Sequence, residues 1–517
     1  MRASRVAWPY NGLMFVASIV LLFSLGVAIA YAVNLITFPF DYDQGEGFEL
    51  VDTILFSQFQ WPYQNTDSYP FYSSNYPPLF HILPAPFVWI FGPSYAYGRL
   101  LSFIATLLTA VVISYAVYRD THQRWIALLS GLAYISSNFV YHNAPLFRQH
   151  LTMVLLETIA IVVLAQAFQK RENKLIALGL GLLIAAGYTK QLAAISAVAV
   201  LVWMFLRNPR RAVLWGAAFV AVGVAIFVVL TVATSGEWWR QTIIANVNAF
   251  NPFQMFGLAL LWLRLHALLL IPAVLYTLYE LYFSRLSLYA VWFGITAILG
   301  GIAAGTWGAG DSYYTSAIAA MCIVSGRVFG QVGNSPRLRQ SAAKAVVVLI
   351  IPMAYLGYGV STLKLPTEGP IFGPIASALS IEPNVMGRHF DSATYDVLGY
   401  ANIGHFTTRE DVRNGYRIVD LIQNADGPVI SEDAAFSIVA GKDVITNPTQ
   451  LRNLYLAGVW EGAELLKMIE NDQFALIILR ASFFPTPVLE AIQENYSPTK
   501  VITMNGFDYV FWSPANK

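Results

Sequence analysis

Long apolar runs broken by short polar stretches fill the first 361 residues of the chain. A helix needs ~20 apolar residues to cross a bilayer. The pattern predicts helices at about residues 13–36, 95–118, 125–140, 151–169, 175–189, 191–206, 212–233, 256–283, 287–304, 315–331 and 345–361. That makes a mainly α, polytopic helical bundle of about eleven spans. Residues 175–206 lie between the basic clusters Lys170, Arg171, Lys174 and Arg207, Arg210, Arg211. As one helix they would measure roughly 48 Å, too long for a single ~30 Å crossing. Two short helices meeting near "YTKQ" (188–191) fit the flanking charges better. With that count the two termini fall on opposite sides of the membrane.

The pattern changes after residue 361. Charges return, and Pro366, Pro370 and Pro374 mark a linker. "GPVISED", "KDVITN", "FALIILR" and "DYVFWSP" read as short strands; "NGYRIVDLIQNA", "GAELLKMIEN" and "PVLEAIQENY" read as helices. Alternating strands and helices predict a small α/β domain over 362–517, following a membrane domain over 1–361. The tail holds no glycine-rich phosphate loop and no His/Cys metal cluster.

Composition agrees. The chain is 56% hydrophobic and 12% charged, against roughly 25% charged in soluble domains. A net charge of +1 gives no sign of a nucleic-acid partner. One cysteine, Cys322, excludes an intrachain disulfide and a multi-cysteine metal site. The first apolar run follows Arg2 and Arg5 and exceeds a signal-peptide core of about 7–15 residues, so it reads as a retained span.

Lysine and arginine set the expected orientation. Arg2, Arg5, Arg119, Arg124, the two clusters above, Arg285, Arg337, Arg339 and Lys344 fall in one set of loops, expected to be cytoplasmic. The first loop of the other set, about residues 37–94, has no Lys or Arg and six acids: Asp41, Asp43, Glu46, Glu49, Asp52 and Asp67. It is expected outside, as is the C-terminal domain.

Polar groups collect on that outer side. They include Asn75, Tyr76 and His81 in "NYPPLFHIL", His142, Arg148 and His150 in "YHNAPLFRQH", and Lys190 and Gln191 in "TKQ". They also include Glu237, Arg240, Asn246, Asn248 and Asn251 in residues 237–251, and Asp311, Tyr313 and Tyr314 in "GAGDSYY". A carboxylate among them can take a proton from an acceptor hydroxyl, and isolated cations can hold a lipid phosphate. Taken singly, Asp41, Asp43 and Glu46 read equally as solvated loop acids, and Arg148 and Arg240 as snorkelling side chains. Lys190 resists the plain reading, because a cation within an apolar stretch costs ~2.5–3.5 kcal/mol. The glycines around Glu46 point to a tight backbone. No His-x-x-x-Asp or similar pair marks a metal site, so no cofactor is expected, and a divalent metal has no support in the motifs.

In order, "DYDQGEG" (41–47), "NYPPLFHIL", "GRLLSFIATLLTA" (98–110), "RQH" (148–150), "YTKQLA", "GAGDSYYTSAIAA" and "GPVISEDAAFSIVAGKDVITNP" (427–448) resemble the GT-C superfamily of membrane glycosyltransferases. The similarity is to the bacterial branch related to protein O-mannosyltransferases and lipid A aminoarabinose transferases. It implies a polyprenyl-phosphate sugar donor and inverting transfer to an acceptor hydroxyl, the acceptor being a lipid, protein or polysaccharide. Asp43 matches the family's base best, with Asp41 and Glu46 close in register. Lys190, Arg148 and Gln191 become donor-phosphate residues. Asn75, Tyr76, His150, Asp311, Tyr313 and Tyr314 become substrate contacts. The sequence departs from the family at Gln44, where many relatives have Glu; at Tyr76, where they often have Lys; and at His150, where they often have Asp. The other reading is a transporter or flippase of a lipid-linked saccharide, which would place ionisable groups at mid-span and pair broken helices in two halves.

Overall fold

The computed structural model describes residues 4–335, 346–367, 369–380 and 404–515. Arg2, Arg337, Arg339 and Lys344 of the expected cytoplasmic loops lie outside them. A helix occupies each apolar stretch predicted above. Six are long and apolar enough to cross a membrane: Trp8–Ile36, Tyr95–Thr121, His150–Lys170, Pro209–Ala233, Pro252–Phe283 and Asp311–Asn334. Shorter apolar helices include Asn173–Thr189, Gln191–Arg207, Leu288–Ala303 and Val346–Ser361. Polar punctuation sets where they start. Asn208 and Asn251 each accept hydrogen bonds from the first turn of a helix that begins with proline. Ser94 does the same for Tyr95–Thr121.

The 175–206 stretch is two helices. Lys190 between them is extended, with φ −155° and ψ 135°. The inner helices bury their faces in one continuous apolar core, whereas the long helix Pro209–Ala233 exposes nearly all of its surface. An exposed helix of that composition has its apolar partner in lipid rather than protein.

The acidic segment is not an open loop. It turns at Phe38 to Gly45 and forms a buried helix, Glu46–Ser57. The short helix Ala85–Phe91 follows, presenting Phe87, Trp89, Ile90 and Phe91 outward.

The C-terminal region contains a four-stranded sheet, β1 (Val429–Ser431), β2 (Leu476–Leu479), β3 (Tyr496–Met504) and β4 (Phe507–Pro514), in the order β1-β2-β4-β3. β1 and β2 are parallel; β4 runs antiparallel to β2 and β3. The three helices read from the sequence are Arg409–Gln423, Ala463–Glu470 and Thr486–Asn495. "KDVITN" forms no strand; it leads into helix Pro448–Leu456, capped by Asn447. β3 was not expected. It is an edge strand whose Ser497, Pro498, Thr499 and Lys500 face solvent, and edges tolerate such residues.

This region sits on the acidic segment. Tyr42 Oη donates to the His405 carbonyl at 2.8 Å, Asn505 Nδ2 to the Tyr42 carbonyl at 3.1 Å, and Asn447 Nδ2 to the Ser73 carbonyl at 3.0 Å. Phe40 packs edge-on against Tyr416, and Gly415 leaves it room: a Cβ there would lie 2.1 Å from the ring.

Candidate active site

Arg99, the arginine of "GRLL", organises the acidic segment from beneath. It is fully buried. Its guanidinium meets both oxygens of Glu46, at 2.9 and 2.8 Å, and the carbonyls of Leu35, Phe38 and Phe40. Glu46 also accepts from the backbone N–H groups of Phe147, Tyr42 and Asp43. Burial alone would raise its pKa; Arg99 and the N–H donors outweigh that and hold it below the usual carboxylate range. Every lone pair is committed, so Glu46 is placed under the turn and outside the cavity.

Asp41 has one partner on each oxygen. It accepts from Tyr95 Oη at 3.0 Å and from the Ala435 N–H at 2.9 Å. Burial, and then the nearby Asp433, push its pKa well up. Gly47 makes the approach possible: a Cβ would lie 2.5 Å from the Asp41 carboxylate and 2.8 Å from Ala434 Cβ. The glycines of "QGEG" thus serve close approach, not unusual dihedrals; Gly45 has φ −81°.

Above this floor lies a cavity of about 480 Å³. Asp43 opens into it. Arg148 Nε and Nη2 both donate to Asp43 Oδ2, at 2.7 and 2.5 Å. Asp43 Oδ1 is buried with no hydrogen-bond partner. Gly45 lets the guanidinium lie flat on the turn, since a Cβ would stand 2.1 Å from it. One turn along the same helix, Glu49 accepts from His81, Gln149 and, at 3.4 Å, Arg148. Asp52 accepts from Tyr72 Oη and Ser74 Oγ. Burial raises the Asp52 pKa to about 6, against the pull of His81. Glu49, Asp52 and His81 present oxygen and nitrogen atoms within 4.8 Å of one another. Among the described residues they are the set that could hold a metal ion.

Facing these acids is Lys190, at the break between the two short helices. Its ammonium lies over the Tyr76 ring at 4.6 Å and near that of Tyr313 at 5.6 Å. It reaches His150 Nε2 at 2.7 Å. An ammonium only donates, so that nitrogen accepts. Burial, and then the positive charge of Arg148, push the Lys190 pKa down to about 7. Tyr76 is the shelf on which Lys190 rests.

The cavity also takes in Asn75, Gln191, Asp311 and Tyr313. Asp311 pairs with His142 at 2.9 Å and accepts from Asn143 at 3.2 Å. Gln191 spends its amide hydrogens on the Asn75 and Thr242 carbonyls. Tyr314 does not line the cavity; its ring packs on Trp262, centroids 4.9 Å apart, within the bundle. Arg240 is elsewhere too, held by Asp67, Glu237 and the Val459 carbonyl. Sequence reading missed Glu49, Asp52 and Gln149 as site residues. The signal for the two acids was their i, i+3 spacing, which places them on one face once the segment is read as a helix. It also missed Asn447, Thr449 and Asn453, which the C-terminal region brings to the cavity.

Helices of this order, an acidic first segment and an outlying sheet domain over one polar cavity define a polytopic membrane protein with the GT-C glycosyltransferase fold. The profile of the family "Dolichyl-phosphate-mannose-protein mannosyltransferase" matches residues 75–238. The fold is that of ArnT from Cupriavidus metallidurans in the apo state (TM-score 0.59, 14% identity), covering 95% of this chain and 97% of that one. It also matches ArnT bound to undecaprenyl phosphate (TM-score 0.56, 14% identity, the same coverage). The apo oligosaccharyltransferase of Archaeoglobus fulgidus is similar as well (TM-score 0.53, 12% identity), covering 94% of this chain and 73% of that one. No curated protein sequence matches the chain.

Proposed function

We propose that the chain is a membrane glycosyltransferase that moves a sugar from a polyprenyl-phosphate donor to an acceptor hydroxyl on the extracytoplasmic face. The carrying observation is convergence: Asp43, with one oxygen unpartnered, and the cations Lys190 and Arg148 meet in one cavity. In the transfer, the acceptor oxygen attacks the anomeric carbon and its proton passes to Asp43 Oδ1. The bond from that carbon to the phosphate oxygen breaks, and its electron pair stays on the phosphate. One displacement inverts the anomeric centre. Lys190 stabilises the charge gathering on the leaving phosphate, where a dry setting strengthens the attraction. Arg148 adds positive potential and holds Asp43 through Oδ2, leaving Oδ1 without a partner. Asp41 and Glu46 hold the turn that carries Asp43. Gln191, its N–H groups spent, serves the sugar rather than the phosphate. Asn75, Tyr76, His150, Asp311 and Tyr313 complete the substrate wall, and Tyr314 supports it from behind. The resemblance to ArnT, one structure of which holds undecaprenyl phosphate, supports the lipid carrier.

In this reading the helices at all eleven predicted stretches cross the bilayer, the N-terminus is cytoplasmic, and residues 362–517 form an outer domain over the membrane domain 1–361. The test is sugar release or transfer by purified protein in lipid nanodiscs, offered a panel of polyprenyl-phosphate sugars, with Asp43→Asn as control. Turnover that vanishes in Asp43→Asn supports the assignment; turnover unchanged in that variant refutes Asp43 as base. Failure of every donor with intact protein shifts the reading to transport.

A further inference from the structure

Eight carboxamides line the cavity, and five of them, Asn143, Gln191, Asn246, Asn248 and Asn453, have their N–H side turned to partners within the protein. Asn143 donates to the Phe139 carbonyl and to Asp311. Gln191 and Asn246 both donate to the carbonyls of Asn75 and Thr242. Asn248 donates to the Trp307 carbonyl. Asn453 donates to Gln450 Oε1, and Gln450 in turn donates to the Gln241 carbonyl. Carbonyls and carboxylates only accept, so these partners fix which end of each amide is nitrogen. The oxygens are what remains for a ligand. Asn453 Oδ1 is buried with no partner, a cost that a bound donor would relieve.

The acids of the cavity offer no comparable opening. Glu49 is met by His81 and Arg148, Asp52 by two hydroxyls, and Asp311 by His142. Asp43 keeps one oxygen, which the proposed transfer uses. The wall is therefore rich in neutral acceptors. It suits a ligand that presents several O–H groups, gives an ammonium no unpaired carboxylate, and would set a sugar carboxylate against oxygen.

Resting on the function proposed above, we infer that the sugar carried by the donor is an uncharged polyhydroxylated unit, read through its O–H donors by these amide oxygens, with Asn453 of the C-terminal region completing the set. Amino sugars and uronic acids are disfavoured.

The experiment measures binding in nanodiscs to undecaprenyl phosphate alone and to undecaprenyl-phosphate-linked glucose, amino-hexose and glucuronate. Glucose is expected to bind at least about tenfold tighter than the bare phosphate, and tighter than either charged sugar. Asn453→Leu and the more exposed Asn248→Leu should each remove about threefold to tenfold of that gain, the worth of one hydrogen bond. Neither should alter binding of the bare phosphate, which also reports that each variant is folded. Equal affinity for all four ligands, or preference for a charged sugar, overturns the inference while the function proposal stands. Failure of undecaprenyl phosphate itself to bind overturns both.

Discussion

Lys190 gives the sharpest test of how the cavity handles a phosphate. Its pKa in the empty site is pushed down to about 7, first by burial and then by Arg148. A phosphodiester donor carries one fixed negative charge across the neutral range, so titration there belongs to the protein. Donor binding favours the ammonium and therefore takes up a proton whenever Lys190 starts out neutral. The sign follows: affinity is full below about pH 7 and weakens as pH rises. Each unit above that point costs about 1.4 kcal/mol, a tenfold rise in Kd, until the higher pKa of the occupied site is reached. Calorimetry or fluorescence titration in nanodiscs from pH 6 to 9 reads this directly. Lys190→Met should bind weakly at pH 6 and lose the slope. A flat Kd in the wild type, or the same slope in Lys190→Met, refutes the phosphate role.

Other outcomes follow from the same geometry. Asp43→Asn should lower transfer by at least about 10²–10⁴-fold, the usual worth of a general base, with donor Kd little changed. Gly45→Ala drives a methyl into the Arg148 guanidinium; activity should fall sharply while thermal unfolding shifts little, and normal activity would show that Asp43 needs no such brace. Glu46→Gln leaves Arg99 buried without its counter-charge and should cost about 3–5 kcal/mol of stability, seen as a lower unfolding temperature in detergent. A chelator should leave turnover unchanged, because the charge on the phosphate is met by Lys190; activity lost to EDTA and restored by a divalent ion would place a metal on Glu49, Asp52 and His81.

The bundle was legible because apolar runs and basic clusters obey simple physics: burying charge in lipid is costly, so the chain advertises its crossings. The break at Lys190 could be read from the length of the stretch together with the basic clusters at both of its ends. The acidic segment was harder. "DYDQGEGFEL" has the composition of a loop, and its helix is set by tertiary partners, Arg99 from beneath and Arg148 from the side, that no local pattern reveals. The same holds for the carboxylates. Sequence placed Asp41, Asp43 and Glu46 together, but only the fold shows both oxygens of Asp41 and Glu46 partnered and one oxygen of Asp43 free. Asn453 lay beyond reach, since nothing local links the C-terminal region to a cavity otherwise lined by residues between 43 and 313. β3 escaped because an edge strand keeps its polar residues in water and loses the alternation that betrays a central one.

The contacts of the site also differ in when the chain can make them. Glu46 and Arg99 are 53 residues apart, and Asp43 and Arg148 are 105. Asp41 waits for Ala435, and Gln44 for Thr449, across 394 and 405 residues. During synthesis the floor can therefore close while most of the bundle is still unmade. The roof arrives last, on a cavity whose charges are already paired. A ribosome-bound chain halted before the C-terminal region would carry Asp43, Arg148, Lys190 and most of the cavity wall, and would lack only the part that Asn447, Thr449 and Asn453 supply.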